Sequence, residues 1–208
     1  MIGLRRKEGP AGAVCEARVR IVTAARHAFA SVGFAGASTR EIAKEAGVAQ
    51  SLLLYHFGSK DALWRAVMDG LAEDLRTRMN AAIAGAPNGT IPQRLMALVR
   101  AFIAQCAQDA DFHRIMTLEG RQPSERLKWL VERHLRDGFE ATCALIRRGQ
   151  AEGSVRPGDP TLLYYSMIAI AGTAFSLAPE IRLISGNDGA VDPAAIEEMI
   201  ERVLLVGR

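Results

Sequence analysis

The stretch from Ser38 to Leu63, STREIAKEAGVAQSLLLYHFGSKDAL, sets two short helix-forming runs on either side of a glycine. Its first four residues, Ser38-Thr39-Arg40-Glu41, have the S-x-x-E form in which a cap hydroxyl and a glutamate each satisfy a free backbone amide of the other. A helix is therefore predicted from Thr39 to about Ala46, with Ile42 and Ala43 facing inward. Gly47 suits a left-handed backbone and ends it. Val48 then serves as an apolar plug between two helices, and Ala49 to Phe57 makes the second, closed by Gly58. Two short helices around a glycine turn form a helix-turn-helix.

Longer helices flank the motif. Upstream, Ile21, Ala24, Ala25, Ala28, Phe29 and Val32 share one face of a helix over Val14 to Val32, which Gly33-Phe34 ends. Downstream, Ser59 caps a helix in which Leu63, Val67, Leu71, Leu75, Met79 and Ile83 recur every four residues. A helix of about 24 residues reaches roughly 36 Å, enough to join a small head to a larger body. The expected division is a head over residues 1–58, with a basic arm at 1–12, and a body over 59–208.

The body repeats the helical theme. Thr90-Ile91-Pro92-Gln93 is a second capping box and opens a helix carrying Leu95, Leu98, Val99, Phe102, Ile103 and Cys106. Further helices are expected over Asp111 to Gly120, Ser124 to Gly149 and Thr161 to Leu177, with a loop at Ser185 to Gly189. A last helix opens at Asp192-Pro193 and aligns Ile196, Met199, Ile200, Val203 and Leu204. The total is about nine helices, three in the head and six in the body. Aromatic residues make up only 6% of the chain and β-branched runs are absent, so the fold class is all-α.

Charge is unevenly placed. Residues 1–61 hold 9 Lys/Arg against 5 Asp/Glu, whereas residues 62–208 hold 17 against 18. The basic surplus lies in the head, as a polyanion partner there requires. Three widely spaced cysteines, Cys15, Cys106 and Cys143, support neither a disulfide framework nor a zinc motif, and a reducing cytoplasm is expected. Leu162 to Leu177 is too short and too broken by polar residues for a membrane span.

The stretch from Ser38 to Leu63 resembles the DNA-binding domain of the TetR (tetracycline-repressor-like) family of transcriptional regulators. The resemblance rests on Thr39-x-x-x-Ile42-Ala43, Ala46-Gly47-Val48, His56-Phe57 and Ser59-Lys60-Asp61-x-Leu63, in order and in spacing, and it covers about residues 14–63. A helix entering the major groove needs small or polar residues at its exposed start and apolar ones behind. Gln50, Ser51 and Leu52 meet the first need; Leu53 and Phe57 meet the second. Gln50 can pair with an adenine edge and Leu52 can touch a thymine methyl. Ser38, Thr39 and Lys60 are placed for phosphate. The family alignment adds Arg40 and sets Tyr55 and His56 along the DNA backbone. Two positions depart from the pattern: Leu54 stands where the family usually has Tyr, and Ala49 where it has Ser or Thr. The missing cap at Ala49 costs roughly 1 kcal/mol of helix stability.

No catalytic constellation stands out, and phosphate-binding glycine motifs are missing, so an enzyme is not expected. His113, Glu119 and His134 lack the paired spacing of a metal site, and neither metal nor cofactor is predicted. The resemblance implies a homodimer on a palindromic operator and an apolar effector pocket in the body. Candidates for that pocket are Phe102, Cys106, Phe112, Met116, Phe139 and Tyr165, with Glu119 and His134 as polar anchors. The reading from another class is a constitutive DNA-binding or architectural dimer with no small-molecule effector.

Overall fold

The computed structural model of the protein describes residues 10–186 and 191–207. Arg5, Arg6 and Lys7 of the expected basic arm lie outside the described residues, as does the end of the expected loop after Gly186. Apart from a single bridge between Val155 and Leu205, the described residues form only helices and turns. The chain divides into two compact units, Met1–Gly70 and Leu71–Arg208. The boundary falls inside the long helix that starts at Lys60, whereas the sequence reading places it at residue 58.

In the first unit, α1 (Pro10–Gly36) carries Ile21, Ala25 and Phe29 on a fully buried face. Gly33 leaves helical geometry, at φ 69°, and kinks the last turn. α2 (Thr39–Glu45) buries Ile42 and Ala43. Its cap differs in detail from expectation: the Ser38 hydroxyl accepts from the Arg40 N–H at 3.3 Å, one residue short of the Glu41 amide that a capping box engages. Gly47, at φ 66°, makes the turn, a backbone conformation that a β-carbon disfavours. The Val48 N–H then donates to the Ala43 carbonyl at 2.9 Å and brings the chain back toward α2. α3 (Gln50–Phe57) follows, and α4 (Lys60–Ala84) opens with the Ser59 hydroxyl accepting from the Ala62 N–H at 3.1 Å. Leu63, Trp64, Val67 and Met68 on the first part of α4 complete this core.

The second unit is built around α5 (Ile91–Gln108), whose Thr90–Gln93 capping box is present in both directions. Leu95, Val99, Phe102, Ile103 and Cys106 meet Ile146, Met167, Ala171, Ile196, Ile200 and Leu204 in one core. These partners come from α8 (Arg136–Ala151), α9 (Pro160–Ser176) and α11 (Pro193–Leu204). α6 (Asp111–Glu119) packs on α9 where Gly172 leaves room for the His113 ring. The single helix expected over Ser124 to Gly149 is divided: α7 (Glu125–Leu130) passes into α8 through a π-helical turn at Val131–Leu135. An additional helix, α10 (Ala178–Ser185), follows α9 at a bend of 69°. Counting α7, the π turn and α8 as one rod gives ten helices among the described residues. Their all-α arrangement, a helix-turn-helix followed by a helical body, is the one the sequence predicts. No single described helix is long and apolar enough to cross a membrane; α9 and α10 pass that test only as a bent pair.

Candidate nucleic-acid interface

α3 is held by one fully buried side chain, Leu53, and by the half-buried Phe57, with the Arg18 guanidinium 5.4 Å from the centre of the Phe57 ring. Its other surface is open. Gln50, Ser51 and Leu54 are exposed, Tyr55 is 82% exposed, and Leu52 is half-buried. Ala49 contributes no side-chain cap, as its methyl group dictates. The first-turn amides of α3 thus have no intramolecular side-chain acceptor at the cap.

The side chains proposed for phosphate are arranged by the turn before α2 and the start of α4. The Lys60 ammonium donates to the carbonyls of Phe34 at 2.8 Å and Ala37 at 2.9 Å. It therefore ties down the segment that delivers Ser38 and Thr39, and one N–H remains for another acceptor. Arg40 is exposed beside them. Gln50 is not free: its Nε2 donates to Thr39 Oγ1 at 3.0 Å, across the glycine turn. His56 is half-buried, its ring lies between those of Tyr55 and Phe57, and its Nε2 is buried with no hydrogen-bond partner among the described residues.

Two residues of this unit escaped the sequence reading. Arg20 Nε donates to the Ala46 carbonyl at 3.1 Å and so closes the C-terminal end of α2. Trp64 is fully buried and meets the Phe34 ring edge-on with centroids 6.4 Å apart. Trp64 lies about 100° around the helix from Leu63 and in line with Met68, on a second buried stripe that the four-residue series from Leu63 did not reach.

The described contacts set the body candidates in separate groups. Phe102 and Cys106 belong to the α5 core, and burial, with Asp109 adding, pushes the Cys106 thiol up to about 12. Phe112 is buried on α6, and Met116, on the same helix, is half-buried. Glu119 is buried against Arg126, with Oε2 and Nε 3.3 Å apart. His134 sits edge-on to Trp129, with ring centroids 5.2 Å apart. Phe139 meets the Tyr164 ring edge-on and the Tyr165 ring at a tilt; Tyr165 is 58% exposed. Burial, then Tyr165 and Cys143, pushes the Tyr164 phenol up to about 12. Burial lowers His113, which favours its neutral form. Sequence reasoning missed Gln105, a buried polar residue whose Oε1 has no hydrogen-bond partner among the described residues. The available signal was its place between Phe102 and Cys106 on an otherwise apolar face.

Comparisons with known proteins agree with this architecture. Residues 21–67 match the family model of bacterial regulatory proteins, tetR family. The HTH-type transcriptional regulatory protein RaaS of Mycobacterium tuberculosis is 43% identical over 67 residues, which are 32% of this chain and 31% of that protein. The HTH-type transcriptional regulator RutR of Escherichia coli K12 is 26% identical over 199 residues, 94% of this chain and 92% of RutR. The crystal structure of a bacterial regulatory protein in the tetR family from Rhodococcus RHA1 shares the fold, with TM-score 0.69 and 22% identity over 92% of this chain and 98% of that one. The helix-turn-helix lies inside the segment that matches the tetR family of bacterial regulatory proteins, and these likenesses together support a TetR-family transcriptional regulator.

Proposed function

We propose that the protein is a homodimeric repressor that binds a palindromic DNA operator through α3 and leaves it when a small molecule enters the body. The observation that carries this reading is α3 itself, fastened from behind by Leu53 while Gln50, Ser51 and Tyr55 stand exposed. A helix so mounted fits the major groove, with Gln50, Ser51 and Leu52 on base edges. Ser38, Thr39, Arg40, Tyr55, His56 and Lys60 then serve phosphate contacts that fix register.

A dimer is supported by apolar side chains left uncovered on the body, among them Leu162 and Tyr165 of α9 and Met199 of α11. Two copies related by a two-fold axis read two half-sites, about 34–36 Å apart or a multiple of that spacing. In this reading the effector site lies in the body, where its candidate walls form separate groups: Phe102 and Cys106 in the α5 core, Phe112 and Met116 on α6, and Phe139 with Tyr165 where α8 meets α9. Glu119, His134 and the unpartnered Gln105 Oε1 supply polar anchors. Because α4 runs unbroken through both compact units, a ligand that prefers one body state also biases the head. The release it causes is bounded by its preference between the two states.

The test is selection of bound duplexes from a random-sequence pool by the full-length protein. A palindrome with fixed half-site spacing is expected, and Gln50→Ala should relax preference at one or two base pairs in each half. Recovery of duplexes with no shared sequence would overturn the reading.

A further inference from the structure

The bond between Gln50 and Thr39 joins two residues eleven positions apart, on different helices of the motif, and it points to a role for Thr39 beyond phosphate. Thr39 is half-buried at the first position of α2, where the Ser38 cap fixes the backbone. Its branched β-carbon restricts χ1, so Oγ1 has little freedom. Gln50 is the first residue of α3, exposed to solvent, and a glutamine there has several rotamers of similar energy. Donation from Nε2 to Oγ1 at 3.0 Å selects among them.

The selection also sets what the amide offers. A glutamine amide has two N–H donors and one carbonyl acceptor. With one N–H on Thr39, a donor and Oε1 remain on the outer side. That pair is the complement of the adenine edge in the major groove, where N7 accepts and N6–H donates. We propose that Thr39 is a positioning residue for base readout: its hydroxyl holds the Gln50 amide in the orientation that selects an A·T pair, so preference there belongs to both residues together. The proposal rests on α3 being the recognition helix.

Binding is measured with the full-length protein on the duplex that it selects from a random pool, and on variants of that duplex with each base pair replaced in turn. Gln50→Ala should reduce the preference for one A·T pair per half-site, worth about tenfold or more in the parent. Thr39→Val and Thr39→Ala, which both lack the hydroxyl, should lose preference at that same pair. Combining either with Gln50→Ala should bring no further loss of preference there, the non-additivity expected of coupled residues. Thr39→Ser, which keeps the hydroxyl, should restore the parent profile. Unfolding midpoints by circular dichroism identify any variant that is merely unfolded, and the two hydroxyl-free substitutions check each other.

A Thr39 that only touches phosphate gives a different pattern. Thr39→Val and Thr39→Ala would then weaken every duplex alike, flatten the dependence on salt, and leave the profile across base pairs unchanged; that result overturns the proposal. If Gln50→Ala itself alters no position of the selected duplex, the recognition-helix reading fails first, a signature separate from failure of the Thr39 role.

Discussion

Lys60 holds Phe34 in two ways: its ammonium donates to the Phe34 carbonyl at 2.8 Å and stands 4.5 Å from the centre of the Phe34 ring. A cation at the start of α4 opposes that helix's dipole. The carbonyls at the end of α1 supply the compensating partner. Lys60→Ala is therefore expected to lower unfolding free energy by about 2 kcal/mol, as hydrogen bonds to a charged group contribute. Chemical denaturation of the full chain measures it. In the same variant, operator binding should weaken on all sequences and the salt slope should fall by about 1 if the remaining N–H meets a phosphate. A stability loss with an unchanged slope would make Lys60 a support of the turn and nothing more.

Two neighbours on α3 should separate folding from binding. Leu53 is fully buried, so Leu53→Ala leaves a cavity and costs about 2–5 kcal/mol, and DNA binding is lost with the seating of α3. Tyr55 is exposed, and Tyr55→Ala should leave stability within about 0.5 kcal/mol while weakening DNA binding. Equal stability losses in the two variants would contradict the assignment of inner and outer faces.

Gly172 packs directly on His113. A β-carbon built there stands 2.3 Å from Cε1 and Nδ1 of the ring, closer than any ordinary contact. Gly172→Ala is expected to destabilise the body by about 1–3 kcal/mol through overpacking. Adding His113→Ala should recover part of that loss, read as a coupling energy in a double-mutant cycle.

The same histidine gives a pH dependence with a definite sign. Burial lowers its folded pKa below the ordinary 6.5, so the unfolded chain binds more protons across that interval. The contribution to stability is complete above pH 6.5 and is lost as pH falls through 6.5 toward the lower, folded value. The difference in unfolding free energy between the parent and His113→Ala should accordingly shrink from pH 8 to pH 5. A difference that stays constant would show that the ring keeps its ordinary titration.

Assembly is best probed at Met199 and Tyr165, which are exposed. Met199→Glu or Tyr165→Glu should yield a folded monomer in sedimentation and abolish operator binding. Ile200, the next residue on α11, is fully buried in the body core, so Ile200→Glu should unfold the body instead. A dimer that survives both exposed substitutions would move the interface elsewhere.

Much of this protein is legible in its local chemistry. The glycine at 47, the Ser38 cap, the four-residue stripe from Leu63 to Met79 and the Thr90–Gln93 box each act within a few residues. Local rules of that kind locate helices, turns and the motif, and the family match follows from their order. Where the rules concern only periodicity they stop short. The π turn at Val131–Leu135 carries no breaker, since each of its residues favours or tolerates helix, and α10 is announced only by Pro179 in its first turn, a start signal that periodicity passes over.

By itself, then, the sequence determined that the chain is helical, that a helix-turn-helix occupies its N-terminal third, and which residues of α3 are apolar or polar. Tertiary structure decided which of those residues are available and to what. Lys60 reaches carbonyls 26 and 23 positions away, Gln50 meets Thr39 across the turn, and Ile200 rather than Met199 enters the core. The physical reason is range: helix propensity and capping depend on neighbours within one turn, whereas hydrogen bonds and burial between helices exist only once the chain has closed on itself.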